Sequence, residues 1–334
     1  MTPVAMVLAA GFGTRLGSLT AERPKPMLPV CGAPLVVWAV RWLAHHGIRD
    51  VVVNLHHLGE QIVDALGDGT AHGVRVAYSH EEGRILGTGG GLRHARSLLD
   101  DGSGREIVVV NAKVVVDLNL HELLAAHRDR AAEATMVLRP DPAAATWGSL
   151  RVGANDRVVE LLGRRRAGED DIAAGEPLMF TGIHVLQPRF LDRIPPEGEQ
   201  CVIRTAYRDL FDSGDPFFGH VTNRYWWEHS TPERYLAGVR NLLDGIYDPP
   251  YAPNPVRGID PTAVLDPAAK IVPPVHIGPG ARVEAHARVG PHVQLGARAS
   301  IAERVTIERA IVWEDARVTE DTRDAIVQKP TRSA

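Results

Sequence analysis

The sequence predicts an α/β fold: a Rossmann-like, mostly parallel sheet flanked by helices, followed by a short parallel β-helix. Three observations carry this. Apolar runs of strand length alternate with amphipathic helical stretches in the first half of the chain, the pattern of parallel βαβ units. The first apolar run, residues 4–8, leads straight into a glycine-rich turn, Gly11-Phe12-Gly13-Thr14. Near the C-terminus, aliphatic residues recur every six positions. A chain of 334 residues, 44% of them hydrophobic, is long for one domain, so two are expected. The division reads as an α/β domain over residues 1–245, a proline-rich linker over 246–258, the repeat over 259–318 and a tail over 319–334.

Taken in order, residues 34–46 place Leu35, Trp38, Ala39, Trp42 and Leu43 at helical spacing, and Gly47 stops the helix. Both tryptophans read as core. Residues 51–55 and 74–78 are strands, with a helix over 59–66 between them. His56 and His57 follow the strand without partners at metal-site spacing, so they read as loop. Leu86-Gly87-Thr88-Gly89-Gly90-Gly91-Leu92 opens a helix ending near Leu99, and residues 107–110 form the next strand. Residues 186–191 and 207–210 are amphipathic support for the sheet, and Trp226 and Trp227 are core residues. Pro232 starts a helix that runs to about Leu243, with Glu233 in its first turn.

The repeat is the most regular feature. Ile259, Leu265, Ile271, Ile277, Val283, Val289, Leu295, Ile301 and Ile307 recur every six residues, each followed four positions later by a small or apolar residue. Nine hexads predict a parallel β-helix of about three coils. Pro249, Pro250, Pro253 and Pro255 before it form a stiff, non-helical linker.

Composition excludes several classes. The net charge of −4 gives no electrostatic case for nucleic acid, and the Arg164-Arg165-Arg166 run, soon followed by Glu169, Asp170 and Asp171, reads as a solvated loop. Two cysteines, Cys31 and Cys201, make neither a disulfide framework nor a thiolate metal site. No signal-peptide pattern is present, and no apolar run approaches the roughly 18 residues of a membrane span. The expectation is a cytoplasmic protein with no membrane or nucleic-acid partner.

The first glycine turn is the candidate site. Glycine lets backbone N–H groups approach an anion without Cβ obstruction, and Arg15 and Lys25 add two cations nearby. That combination suits a nucleoside triphosphate. The amides of the Gly87 loop, at a helix N-terminus, are a second anion or nucleotide contact. Ligands in open α/β sheets bind beyond the carboxyl ends of the strands, where both loops fall.

Leu8-Ala9-Ala10-Gly11-Phe12-Gly13-Thr14-Arg15 with Arg23-Pro24-Lys25-Pro26 resembles the signature of the sugar-1-phosphate nucleotidyltransferases, the sugar-nucleotide pyrophosphorylases of mannose-1-phosphate guanylyltransferase-like type. The resemblance extends over nearly the whole chain. It implies a mixed sheet, a left-handed β-helix, and nucleotidyl transfer from a nucleoside triphosphate to a sugar 1-phosphate. Nucleotide contacts carry over to Leu8, Ala10, Gly11, Gly13 and Thr14, phosphate contacts to Arg15 and Lys25, and base contacts to Gly87 and Thr88. On the sugar side, Trp147-Gly148-Ser149-Leu150 matches a family segment and assigns Gly148. The family's glutamate-lysine pair is here Gly163-Arg164, and its asparagine-alanine-glycine is Phe180-Thr181-Gly182, which assigns Arg164 and Thr181 and argues against a standard glucose or N-acetylglucosamine pocket. Phenylalanine at that place also occurs in the muramate and heptose branches.

Two departures concern the metal. The family has asparagine-glycine-aspartate, whose aspartate holds catalytic Mg²⁺; here the run is Asn111-Ala112-Lys113. Its second aspartate is replaced by Glu228, in Trp226-Trp227-Glu228-His229-Ser230-Thr231-Pro232. Exchanging −1 for +1 beside a divalent cation costs about 16 kcal/mol as an upper bound, at ~4 Å and an effective dielectric near 20. Ordinary two-carboxylate Mg²⁺ binding is therefore not expected, Glu228 being the one remaining ligand candidate and Lys113 a candidate third catalytic cation. Two readings stay open: an enzyme that uses Lys113 as a fixed charge, and a degenerate nucleotide- or sugar-nucleotide-binding regulator or scaffold. For the β-helix, family members offer acyl transfer or assembly. His276, His286 and His292 fall at different phases of the hexad and are expected to face solvent, so a homo-oligomer assembled through the β-helix is the expectation.

Overall fold

In the computed structural model, residues 1–142, 144, 150–165 and 176–329 are described. Packing gathers the chain into two compact units that do not follow linear order. One comprises residues 1–11, 39–112 and 116–226; the other comprises residues 12–38, 113–115 and those from 227 onward.

The first unit is built on a 10-stranded mixed sheet. Val4–Leu8 lies between Asp50–Leu55 and Ile107–Asn111, parallel to both, and Arg75–His80 adds a fourth parallel strand. These strands read as continuous apolar runs because they are buried on both faces: Ala5, Met6, Val7, Val108, Val109 and Val110 are each 0% exposed. Leu178–Leu186 runs antiparallel to Ile107–Asn111 and to Ala134–Pro140, and Phe217–Val221 lies parallel to Ala134–Pro140. Leu150–Val152, Val158–Leu161 and Arg164–Arg165 carry the sheet to its far edge. The strand that follows Val4–Leu8 in this sheet lies on one side of it and the later Ile107–Asn111 on the other. The order therefore reverses at the first strand, the topological position beyond whose carboxyl end open α/β sheets bind their ligands.

The helices fall where the periodicity puts them, at Leu35–His45 and Gly59–Leu66. Trp38 and Trp42 are buried core residues, the Trp42 indole donating to the Leu118 carbonyl at 3.3 Å. The expected helix after Leu86 comes in two pieces, Gly87–His94 and Arg96–Leu99, broken at Ala95. Among the described residues no helix is long and apolar enough to cross a membrane.

The second unit holds the β-helix, a hairpin and the helix Pro232–Leu243, whose first turn is capped by the Thr231 hydroxyl accepting the Arg234 N–H. The hairpin pairs Pro29–Val30 with Ala33–Pro34. Its two-residue turn has Cys31 at φ 45° and Gly32 at φ 78°, the double positive-φ geometry that matches strand twist. Parallel strands from Gly258–Ile259 to Ile326–Val327 stack in three sheets, the architecture of a left-handed β-helix. It is longer than the three coils expected, with five strands in one sheet and four in each of the others. The coil tightens along its length: Val275 pairs with Val293, Val293 with Ala310, and Ile311 with Ile326, steps of 18, 17 and then 15 residues. This shortening takes the last coils out of the six-residue register, so the hexad pattern underestimates them.

Inward residues such as Val275, Ile277, Val293, Leu295 and Val312 make a continuous core. By strand alternation His276 faces outward, yet it is only 7% exposed, contrary to the expectation that it faces solvent. The outer face of its sheet is covered by the unit's own hairpin: a Cβ on Gly32 would come within 2.9 Å of His276 Nε2.

Candidate functional site

In the first unit, the strand Val4–Leu8 ends at a fixed hub. The Ala9 N–H donates to Asn54 Oδ1 at 2.7 Å, and the Leu8 carbonyl accepts the Ala112 N–H at 3.0 Å. Asn54 Nδ2 then donates to Glu81 Oε1 at 2.7 Å, and Glu81 Oε2 accepts the Leu86 N–H at 2.7 Å. Asn54 and Glu81 are 3% and 4% exposed, so every polar atom needs a partner and the chain of bonds fixes both loops. Sequence reasoning missed this pair, since a lone asparagine in an apolar strand carries no pattern. Gly91 packs against it, where a Cβ would fall 2.7 Å from Glu81 Oε1.

Ala10 is buried and Gly11 is exposed with open space around it. Gly87 has φ +72° and stands against the Gln200 carbonyl, 2.7 Å from where a Cβ would be. Thr88 Oγ1 accepts the Val202 N–H at 3.0 Å, so part of its polar capacity holds the loop itself. Thr181 is buried, with its hydroxyl donating to the Val137 carbonyl at 2.8 Å. The hydroxyl serves the sheet. The neighbouring Gly182, at φ +82°, leaves room for the Asn111 amide, which a Cβ would strike at 2.0 Å. Arg164 stands on the exposed edge strand, 3.0 Å from Asp212. Gly148 lies outside the described residues.

The second unit gathers the charged residues. Gly13 has φ +69°, and a Cβ there would come within 3.0 Å of the Lys25 stem. Thr14 and Arg15 begin the exposed turn Thr14–Thr20, anchored by buried Leu16 and Leu19. Lys25 lies in the short turn Lys25–Met27. Burial, the Lys113 charge and the Arg15 charge push its ammonium down to about 7, with Glu228 opposing. A lysine with that value is poised to gain a proton when an anion arrives.

Lys113 and Glu228 are brought together by the pairing of Val114–Val116 with Trp226–Glu228. Lys113 Nζ is 2.6 Å from Glu228 Oε2, with side chains 25% and 15% exposed. Burial alone would raise the Glu228 carboxyl. The Lys113 charge and hydrogen bond, with the Ser230 hydroxyl donating at 2.8 Å, overcome this and hold it at about 2. His229, which sequence reasoning did not single out, fixes the lysine's backbone: its N–H donates to the Lys113 carbonyl at 2.9 Å, and its Nδ1 lies 3.3 Å from the same oxygen. Burial drives the His229 imidazole down to about 4, so it is neutral at pH 7.

A model of the Nucleotidyl transferase family matches residues 4–244. The chain belongs to the nucleotidyl transferase family. It is 33% identical over 254 residues to a mannose-1-phosphate guanylyltransferase of Mycobacterium tuberculosis, covering 75% of this chain and 66% of the relative. An N-acetylmuramate alpha-1-phosphate uridylyltransferase of Neisseria meningitidis is 46% identical over 115 residues, covering 34% of this chain and 48% of that one. The chain thus spans less than two thirds of either relative's length. In solved structures the fold recurs in HddC from Yersinia pseudotuberculosis, with TM-score 0.57 and 20% identity, over 71% of this chain and 97% of that one.

The family resemblance implies Mg²⁺, with positions 113 and 228 as its expected ligand places, and the residues present there do not fit it. An Mg²⁺–oxygen bond needs ~2.0–2.1 Å, whereas the Glu228 carboxylate is already engaged by the Lys113 ammonium and the Ser230 hydroxyl. Among the described residues, no three His, Cys, Asp or Glu side chains are placed to hold a metal ion.

The lowered Lys25 value sets a pH dependence. Below pH 7 the ammonium is already charged; above it, anion binding must take up a proton, so affinity falls as pH rises, by up to about tenfold per unit. Calorimetry of inorganic triphosphate binding in two buffers of different ionisation enthalpy should show proton uptake at pH 8 and little at pH 6. Affinity independent of pH from 6 to 9 would contradict this.

Proposed function

We propose that this protein transfers a nucleotidyl group from a nucleoside triphosphate to a sugar 1-phosphate, releasing pyrophosphate. The observation that carries the reading is the grouping of Lys25 and Lys113 around the Glu228 carboxylate, with the Arg15 charge acting on Lys25, behind a glycine turn of positive φ. An oxygen of the sugar phosphate attacks the α-phosphorus in line; the bond to the bridging oxygen breaks, and pyrophosphate leaves with that electron pair. Such a reaction needs positioning and neutralisation of developing charge. Arg15 and Lys25 neutralise the leaving pyrophosphate, and the amides of Gly11, Gly13 and Thr14 bind the triphosphate. Lys113, held by Glu228, acts as a fixed cation at the α-phosphate. Gly87 and Thr88 contact the base, in keeping with the family resemblance. The free cysteines, Cys31 buried and Cys201 exposed, suit the reducing cytoplasm.

The Lys113–Glu228 pair also favours a second reading, binding without turnover, because its two positions are those at which the family resemblance implies metal ligands. One experiment separates them. Pyrophosphate release is measured with each common nucleoside triphosphate and a panel that includes mannose 1-phosphate, glucose 1-phosphate and N-acetylmuramate α-1-phosphate. The enzyme reading expects turnover with at least one pair and a loss of about a hundredfold or more, roughly 3 kcal/mol, in Lys113→Met. Turnover absent in the wild type but acquired in Lys113→Asp, together with Mg²⁺ affinity, would establish the binding-only reading. Neither turnover nor triphosphate binding would refute both.

The β-helix supports a homo-oligomer. Its first coil leaves Ile259 and Val264 46% and 57% exposed, at strands whose outer edges have no strand partner among the described residues. Open parallel edges with apolar side chains favour pairing with a second copy. Light scattering should find a multimer in the wild type and a monomer in Val264→Glu. A wild-type monomer at micromolar concentration would refute this.

A further inference from the structure

The outward row of one β-helix sheet is not a surface. His276, Gln294 and Ile311 stand in register on neighbouring strands, and all three are buried, Gln294 at 0% exposure. A glutamine alternating with the inward Val293 and Leu295 would ordinarily be solvated. Here its amide is consumed by the segment that carries Lys25. Gln294 Oε1 accepts the Cys31 N–H at 2.7 Å, and Gln294 Nε2 donates to the Pro29 carbonyl at 3.0 Å. Both atoms of one amide are spent on one hairpin.

The same hairpin is gripped from the next coil. The Tyr235 hydroxyl donates to the Pro29 carbonyl at 2.6 Å and accepts the Trp313 indole N–H at 3.2 Å. Pro29 thus fills both lone pairs of its carbonyl, one from Gln294 and one from Tyr235. On the other side of Lys25, the Arg23 guanidinium stacks 4.5 Å from the Trp313 ring and forms an ion pair with Glu314. The segment is fixed two residues before Lys25 and four residues after it. Cys31 needs this support, because φ 45° is unfavourable for a side chain with a Cβ and its buried N–H has no other acceptor in the hairpin ladder.

We propose that the β-helix is the positioning element of the triphosphate site: Gln294, with the Trp313–Glu314 clamp, sets where Lys25 stands. The proposal rests on the reading of Lys25 as a phosphate contact. Gln294 and Glu314 are positioning residues and touch no substrate. The repeat therefore has a role in ligand binding that is separate from assembly, and the segment carrying Lys25 is held by a side chain more than 260 positions further along the chain.

The test uses the full-length protein. Gln294→Leu removes both hydrogen bonds with little change of volume, Glu314→Gln removes only the ion pair, and Arg282→Ala, on an exposed strand of another sheet, is the control. Binding of a fluorescent nucleoside triphosphate should weaken about 10- to 100-fold in Gln294→Leu and three- to tenfold in Glu314→Gln, and less than twofold in Arg282→Ala. In a Lys25→Ala background, Gln294→Leu should change affinity less than twofold, because the effect acts through Lys25. Hydrogen exchange over residues 23–32, measured without ligand, should accelerate at least tenfold in Gln294→Leu. Wild-type affinity and wild-type exchange in folded Gln294→Leu would overturn the proposal, as would an equal loss of affinity in the Lys25→Ala background. If Gln294→Leu does not fold, the same criteria apply to Glu314→Gln. If the wild type binds no triphosphate, the functional reading fails, while exchange over residues 23–32 still decides whether the β-helix holds the segment.

Discussion

An ammonium and a carboxylate 2.6 Å apart set the terms for the charged cluster of the second unit. Glu228 can remain ionised in a largely buried position only because Lys113 neutralises it, and Lys113 is held there by the neutral imidazole and the N–H of His229. Removing either partner would leave an uncompensated charge away from water, which is far more costly than never having the pair. The pair acts in turn on Lys25, whose ammonium is discouraged by Lys113 and encouraged by Glu228. Three cations and one carboxylate thus form a single electrostatic system with surplus positive charge. It is already neutralised where a divalent cation would need two carboxylates, and short of negative charge where a polyphosphate would supply it.

The two units hold their candidate residues by different means. In the first unit, rigidity comes from a buried polar chain, Ala9 to Asn54 to Glu81 to Leu86, in which no atom can move without losing a partner. In the second, it comes from the β-helix, whose coils supply Gln294, Trp313 and Glu314 to a hairpin with an unfavourable turn. A solenoid suits this purpose, because its inward hexad positions stabilise it independently and leave outward positions available to grip another segment.

Much of this was legible in the sequence because it is periodic. The apolar strands, the helix bearing Trp38 and Trp42, the glycine turn and the hexads all follow from spacing, and the family from the signature around Gly11 to Lys25. Residue types also disclosed that Lys113 and Glu228 break the family pattern, but their bond depends on two strands pairing across more than 100 residues of chain. Gln294 was invisible, since an outward position in a β-helix carries no constraint until something is seen to cover it. His276 was misjudged for the same reason. The coil count fell short because the last steps shorten from 18 to 15 residues and leave the hexad register. Thr181 reads as a sugar contact only through the family segment it matches, and the sheet geometry reveals its hydroxyl on the Val137 carbonyl.

The central claim is that the protein's own charges occupy the place of the family's metal. It is tested most directly by a crystal structure with a non-hydrolysable nucleoside triphosphate and Mn²⁺, read by anomalous scattering. The account predicts no anomalous peak on the Glu228 carboxylate, with the Lys113–Glu228 contact kept and the Lys113 ammonium against the α-phosphate. A Mn²⁺ ion bound to Glu228 oxygen, with Lys113 displaced, would contradict it.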